Sequence, residues 1–327
     1  MTSSKALIRY LEPVTKLLEQ DGVTEVLINR PGEVFVECYG RMEKELIAAY
    51  DYQYLLQLSN LVASYNGQHI NETAPLLSAT LPAGERIQIV RPPACKTGTV
   101  AMAIRKPCVL EFDLDDYQYQ GAFDNVTFEC KNISDQDRHL IDLKKQWNIK
   151  EFIRHAVRYR KNIIISGGTS SGKTTFLNAI VKEIPLHERI ITIEDVQEAK
   201  LPHENKVHLL YSKGGQGTAA VTATDLMEVC LRLRPDRILP AEIRGEEAFA
   251  FLECINSGHP GSMTTIHADS ARQAENRLVF MCLRAKSGLS KEQLIDYINS
   301  VVDVIIQFKR QNGKRIVTDI KYEPQKS

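Results

Sequence analysis

The 327-residue sequence predicts an α/β protein, with a mainly parallel sheet in its larger part and a smaller α+β domain ahead of it. Three observations predict this. From Asn162 onward, short apolar runs alternate with helical patterns, the order of a parallel sheet covered by helices. Before Lys106-Pro107, alternating runs meet at tight turns and helices stand between them. The stretch 108–135 separates the two, carrying Asp113, Asp115, Asp116 and Asp124 among tyrosines and glutamines with weak periodicity, which suits a linker. The expected division is 1–107 for the N-terminal domain, 108–135 for the linker and 136–327 for the α/β domain.

Taken in order, residues 5–20 place Leu7, Ile8, Leu11, Val14, Leu17 and Leu18 at helical spacing. Residues 23–28 and 33–37 alternate around Asn29-Arg30-Pro31-Gly32 and read as a hairpin. A helix is expected from Tyr52 to Tyr65, stopped by Asn66-Gly67, and strands at 86–90 and 99–104. Helical patterns resume at 135–146 and 149–160. Strands are then expected at 162–166, 190–194, 207–211, 236–241 and 261–266, with helices at 173–183, 224–233, 246–256 and 270–285.

Composition narrows the function classes. Lysine plus arginine and aspartate plus glutamate balance at 41 each, so no global field draws the chain onto nucleic acid. Seven cysteines form no C-x-x-C pair, which disfavours a zinc ribbon or a redox dithiol and leaves them as small buried hydrophobes. The opening residues lack the apolar core of a signal peptide, and no apolar run could span a bilayer, so a cytosolic protein is expected.

The strongest local signal is Gly167-Gly168-Thr169-Ser170-Ser171-Gly172-Lys173-Thr174-Thr175, between a buried-type strand and a helix. It fits G-x-x-x-x-G-K-[ST]. Glycines let the backbone wrap phosphates with its N–H groups, and the helix N-terminus adds a favourable dipole. Lys173 would supply a point charge to the β- and γ-phosphates of ATP, Thr174 would complete a Mg²⁺ shell, and Thr175 can bond the α-phosphate. Two acidic strand ends follow. Ile190 to Glu198 brings Glu194, Asp195 and Glu198, and Arg237 to Glu242 ends on a carboxylate able to hold Mg²⁺ through water or to orient a nucleophile. His267 closes another apolar run, as either a structural histidine or a sensor of the γ-phosphate.

These four boxes, in this order, resemble the Walker A, Asp, Walker B and His boxes of the type II and type IV secretion traffic ATPases. The segments Leu81 to Val90 and Ala103 to Pro107 resemble the N-terminal domain of the Vir-type branch. The resemblance implies a RecA-like P-loop ATPase domain. It implies ATP hydrolysis that powers substrate translocation and pilus assembly, in a homohexamer bound peripherally at the cytoplasmic face of the inner membrane among other secretion components. Protein or DNA would be the substrate. It also implies Glu198 as the water-orienting base, supported by Glu194 and Asp195, with Glu242 as the Walker B carboxylate, His267 as the sensor, and Arg86 and Arg105 reaching the nucleotide. The alternatives are a type II secretion or pilus ATPase, which the missing tetracysteine module and the Arg86 and Arg105 segments disfavour, and a RecA-like nucleic-acid motor. Two departures stand out: Ala241 where the branch has glycine, preceded by Pro240, and a long segment between Pro107 and Asn162 that would let the N-terminal domain lie over a neighbouring subunit's nucleotide site.

Overall fold

The structure is a computed structural model that describes residues 2–107, 113–124, 126, 133–215 and 217–324. The first helix, α1 (Thr2–Leu18), leads into β1 (Val23–Arg30), β2 (Glu33–Cys38) and β3 (Arg41–Leu46). Then come α2 (Tyr52–Tyr65), β4 (Leu76–Thr80), β5 (Arg86–Val90) and β6 (Ala101–Arg105). These strands make one antiparallel six-stranded sheet in the order β3-β2-β1-β6-β5-β4. Alternation sends Val26 and Ile28 of β1 to a core with Leu7, Leu11 and Val14 of α1, while Leu27 and Phe35 face the other way. That second face is covered too, so β1 is almost continuously buried.

The stretch expected to be a linker holds a short helix, α3 (Leu114–Tyr119), capped by Asp113. Much of 108–135, with Cys108 and Cys130, lies outside the described residues. The other five cysteines are free thiols, and all but Cys38 are buried.

The remainder runs α4 (Asp135–Lys145), α5 (Ile149–Arg158), β7 (Ile163–Gly167), α6 (Lys173–Ile180), β8 (Ile190–Glu194) and β9 (Lys206–Leu210). It continues through α7 (Ala223–Cys230), β10 (Arg237–Pro240), α8 (Glu247–Asn256), β11 (Met263–Ile266) and α9 (Ala271–Arg284). It closes with α10 (Lys291–Val301), β12 (Val304–Gln311) and β13 (Lys314–Tyr322). Backbone ladders group the strands as β10-β8-β9, all parallel, and β11-β7-β12-β13, parallel except for β13.

Pro240 accounts for the gap between these two groups. Arg237 and Ala241 send their N–H groups to Arg189 and Ile193 on the β8 side. Alternation therefore turns residues 238 and 240 toward β11. Ile238 N donates there to the hydroxyl of Ser262 at 3.0 Å, and Pro240 has no N–H to offer. Thr265 Oγ1 donates to Ala241 O at 2.8 Å, and one backbone bond, Ile243 N to Thr265 O at 3.0 Å, closes the seam.

The first sheet rests on the second half of the same chain. Leu27, Phe35, Val90 and Cys95 share a core with Val207, Leu209 and Leu226. Arg189, fully buried, donates to Asn29 Oδ1 at 2.6 Å, and Asn29 Nδ2 donates to Asn205 Oδ1 at 2.9 Å. Arg234 pairs with Glu37 across the same boundary.

Candidate functional site

Parallel pairing puts the carboxyl ends of β7, β8, β10 and β11 at one edge, so the four boxes converge. Gly167 ends β7 where a Cβ would stand 2.7 Å from Phe308 O, so only glycine fits there. Gly172 precedes α6 with φ of 102°, a left-handed conformation that glycine adopts without strain. It supplies no side-chain cap, which leaves the first N–H groups of α6 available to an anion. Lys173 is buried, and its Nζ donates to Gly167 O at 2.8 Å and Gly168 O at 3.0 Å. It also meets His267 Nδ1 at 3.3 Å. Burial lowers its pKa from 10.5; nearby Glu242 opposes that shift and Arg244 adds to it.

Glu242 continues the chain of contacts. Its Oε2 accepts from Arg244 Nη2 at 2.6 Å, and its Oε1 lies 3.0 Å from His267 Nε2. The histidine contact is close but misaligned, so Oε1 is a buried acceptor without a hydrogen bond. Burial raises the Glu242 pKa, Lys173 pulls it down, and Asp195 pushes it up. Burial lowers the His267 pKa from 6.5, and the cationic Lys173 and Arg244 lower it further. A neutral His267, with Nδ1 accepting from Lys173 and Nε2–H turned to Glu242, fits these neighbours.

The residues after β8 divide by environment. Asp195 is half-buried, pairs with Lys213, and has Arg244 at 3.8 Å. Glu198 is exposed, and its carboxylate makes no ion pair among the described residues. The backbone around it is tied down: Asn178 of α6 donates to Glu198 O at 3.1 Å and accepts from Lys200 N at 2.8 Å. Glu194 is 1% exposed and supplies the other tie. Its Oε1 accepts from Glu198 N and Ala199 N, both at 2.8 Å, and its Oε2 accepts from Thr192 Oγ1 at 2.7 Å. His208 Nδ1 is 3.3 Å from the same oxygen.

A cavity of about 420 Å³ gathers Thr169 to Thr175 with Asp195, Glu198, Glu242 and His267. Three of the expected residues stand outside this cavity. Glu194 does not line it; its Oε1 is committed to the loop that presents Glu198 and its Oε2 to Thr192 beside His208. Arg86 and Arg105 do not line it either. They sit opposite one another on β5 and β6, in a separate cavity of about 610 Å³ with Glu25, Arg232, Arg234 and His259. Sequence reasoning missed Arg244, Thr265 and Arg315, which do line the cavity of the phosphate-loop motif. Arg244 lies two residues beyond Glu242 and was within reach of the motif; nothing local marks Arg315.

A family model described as "Type II/IV secretion system protein" matches residues 9–319. The type IV secretion system protein VirB11 of Brucella suis biovar 1 is 41% identical over 325 residues, covering 96% of this chain and 90% of that protein. A type IV secretion system protein PtlH homologue of Bordetella bronchiseptica is 39% identical over 320 residues, covering 96% and 94%. The crystal structure of the Brucella suis VirB11 ATPase with sulphate superposes with a TM-score of 0.92, covering 97% of this chain and 98% of that one.

Proposed function

We propose, from the premise that this chain belongs to the type II/IV secretion system protein family, that its Lys173 cavity hydrolyses ATP with Mg²⁺ to drive transport in a type IV secretion system. The chain is an ATPase of the type IV secretion class, akin to VirB11 and PtlH along nearly its whole length. The observation that carries the reading is the meeting of Lys173, Glu198, Glu242 and His267 in one cavity from four separate strand ends.

The residues present fit Mg²⁺. Glu242 Oε1 is a buried oxygen with an unmet bond, in the same cavity as the Thr174 hydroxyl. These two would hold the ion, Glu242 through water. When bound, Mg²⁺ neutralises charge that builds on the phosphate oxygens. Lys173 leaves the loop carbonyls for the β- and γ-phosphates, and the free N–H groups of α6 complete the cradle. Glu198, untied and exposed, orients the attacking water, with Glu194 fixing its backbone. Asp195 and Arg244 flank the reacting end, and His267 reads the γ-phosphate from beside Glu242.

Arg86 and Arg105 lie in a cavity distinct from the Lys173 cavity, so reaching a nucleotide would take either a neighbouring copy or a shift of residues 1–107. The first is consistent with a homohexameric ring in which each N-terminal domain, residues 1–107, serves the next subunit's ATPase domain, residues 136–327. Among the described residues no helix is long and apolar enough to cross a membrane, so attachment to the inner membrane would be peripheral, through other secretion components. Lys173→Ala tests the site assignment: ATP turnover should vanish while the melting temperature without nucleotide stays near wild type. Retained hydrolysis in that variant overturns the reading.

A further inference from the structure

Arg315 belongs to none of the four boxes, yet it lines the nucleotide cavity from β13. Its aliphatic stem lies over the loop: a Cβ on Gly172 would come within 2.6 Å of Arg315 Cδ. Its guanidinium donates from Nη1 to Thr175 Oγ1 at 3.4 Å. Thr175 is the loop hydroxyl suited to the α-phosphate, and Arg315 stands outside the contact chain of Lys173, His267 and Glu242.

The charge around Arg315 is uncompensated. Across the ladder it faces Arg310, and like charges directly opposite one another destabilise a strand pair. Lys309 and Lys314 add to the same hairpin tip, and no acidic residue occurs from Val304 to Thr318. Among the described residues Arg315 has no carboxylate partner, although charge on the chain as a whole balances. An exposed cation held against a phosphate loop, beside other cations, calls for an anion.

We propose that Arg315 is a nucleotide-binding residue that grips the α-phosphate side of bound ADP and ATP alike. With one N–H on Thr175, the remaining donors of its planar fork are free for phosphate oxygens. A contact present before and after γ-phosphate loss strengthens binding uniformly, so removing it raises KM more than it lowers kcat. The inference rests on the ATPase reading above.

The test uses the full chain, titrated calorimetrically with Mg-ADP and with Mg-ATP, alongside steady-state turnover. Arg315→Ala should weaken both nucleotides by about tenfold, the loss of one charge-assisted hydrogen bond. Arg315→Lys, which keeps the charge without the fork, should fall between. Melting temperatures without nucleotide should equal or slightly exceed wild type, since the side chain is exposed and its loss relieves the pairing with Arg310. Unchanged or tighter binding in Arg315→Ala would overturn the proposal, tighter binding meaning that Arg315 only covers the empty loop. A loss confined to ATP would overturn the α-phosphate placement. Wild-type protein that binds neither nucleotide would instead defeat the ATPase reading.

Discussion

Replacing Glu194 separates a carboxylate that takes part in chemistry from one that holds a loop. In Glu194→Ala, Glu198 N and Ala199 N lose their acceptor, whereas Thr192 Oγ1 and His208 Nδ1, 2.8 Å apart, still bond each other. At about 1 kcal/mol for each of the two, the low end for groups left unsatisfied, the loss is about 2 kcal/mol. That is a sizeable part of the roughly 5–15 kcal/mol that holds an ordinary domain together. Glu194→Gln behaves differently. Its amide oxygen can accept from both backbone N–H groups, and its NH₂ can donate to Thr192 if Thr192 then donates to a His208 protonated on Nε2. Only charge assistance is lost, about 1 kcal/mol. Urea unfolding should therefore show a larger shift for Ala than for Gln, and steady-state ATP turnover should fall steeply for Ala and by less than about tenfold for Gln. The wild-type carboxyl is buried, which alone would raise its pKa, but the His208, Thr192 and backbone donors hold it below 4.5. A lowered acid stabilises the fold above its unfolded pKa and loses that contribution as pH falls through the folded value, so the gap between wild type and Gln should narrow progressively as pH falls below 4.5. Glu194→Gln with normal stability and turnover reduced a hundredfold or more would refute the positioning role.

Glu198→Gln should still bind ATP, measured by calorimetry, while single-turnover hydrolysis slows by at least about a hundredfold, the range for a general base. If Glu242→Gln behaves in that way and Glu198→Gln stays active, the base is Glu242. Glu25 gives a pH signature of opposite sense. Burial first, and Glu37 next, push its pKa up to about 7, with Arg105 and Arg234 opposing. The raised value stabilises the fold below the unfolded pKa and is lost as pH rises toward 7, so Glu25→Gln should gain up to about 3 kcal/mol over wild type at pH 8 and nothing at pH 4. Denaturant midpoints at the two pH values check this, and equal gains at both would exclude the mechanism.

Much of this was legible in the sequence because the signals are local. The strands β1, β5, β7 and β8 carry apolar runs bounded by turns, and Gly167 to Thr175 combines a backbone requirement with a charge requirement. Elements with a weak apolar signature escaped, and β12 escaped despite its Val304-Ile305-Ile306 run. The strand β3, Arg-Met-Glu-Lys-Glu-Leu, is charged because it is the sheet edge, where charge blocks further pairing. The helix α10 depends on a Ser290 and Gln293 capping box ahead of a modest apolar stripe. At the site, a carboxylate at a strand end reads alike whether it points to solvent or inward. Glu194 and Thr192 lie on the same side of β8, and His208 stands opposite Thr192 on β9, a pairing only the register reveals. Arg315 comes from 140 residues beyond Thr175, and no spacing rule spans that separation.

The proline seam bears on mechanics. The phosphate loop and His267 grow from the strand group containing β7 and β11, whereas Glu194, Asp195 and Glu242 grow from the group containing β8 and β10. The line between the groups is crossed mainly by side-chain bonds and a single backbone bond, where the other neighbouring strands share full ladders. A nucleotide held at the proposed site would be clasped from both banks and would act there as a rivet. Loss of its terminal phosphate would then be felt first at the joint with the fewest backbone bonds.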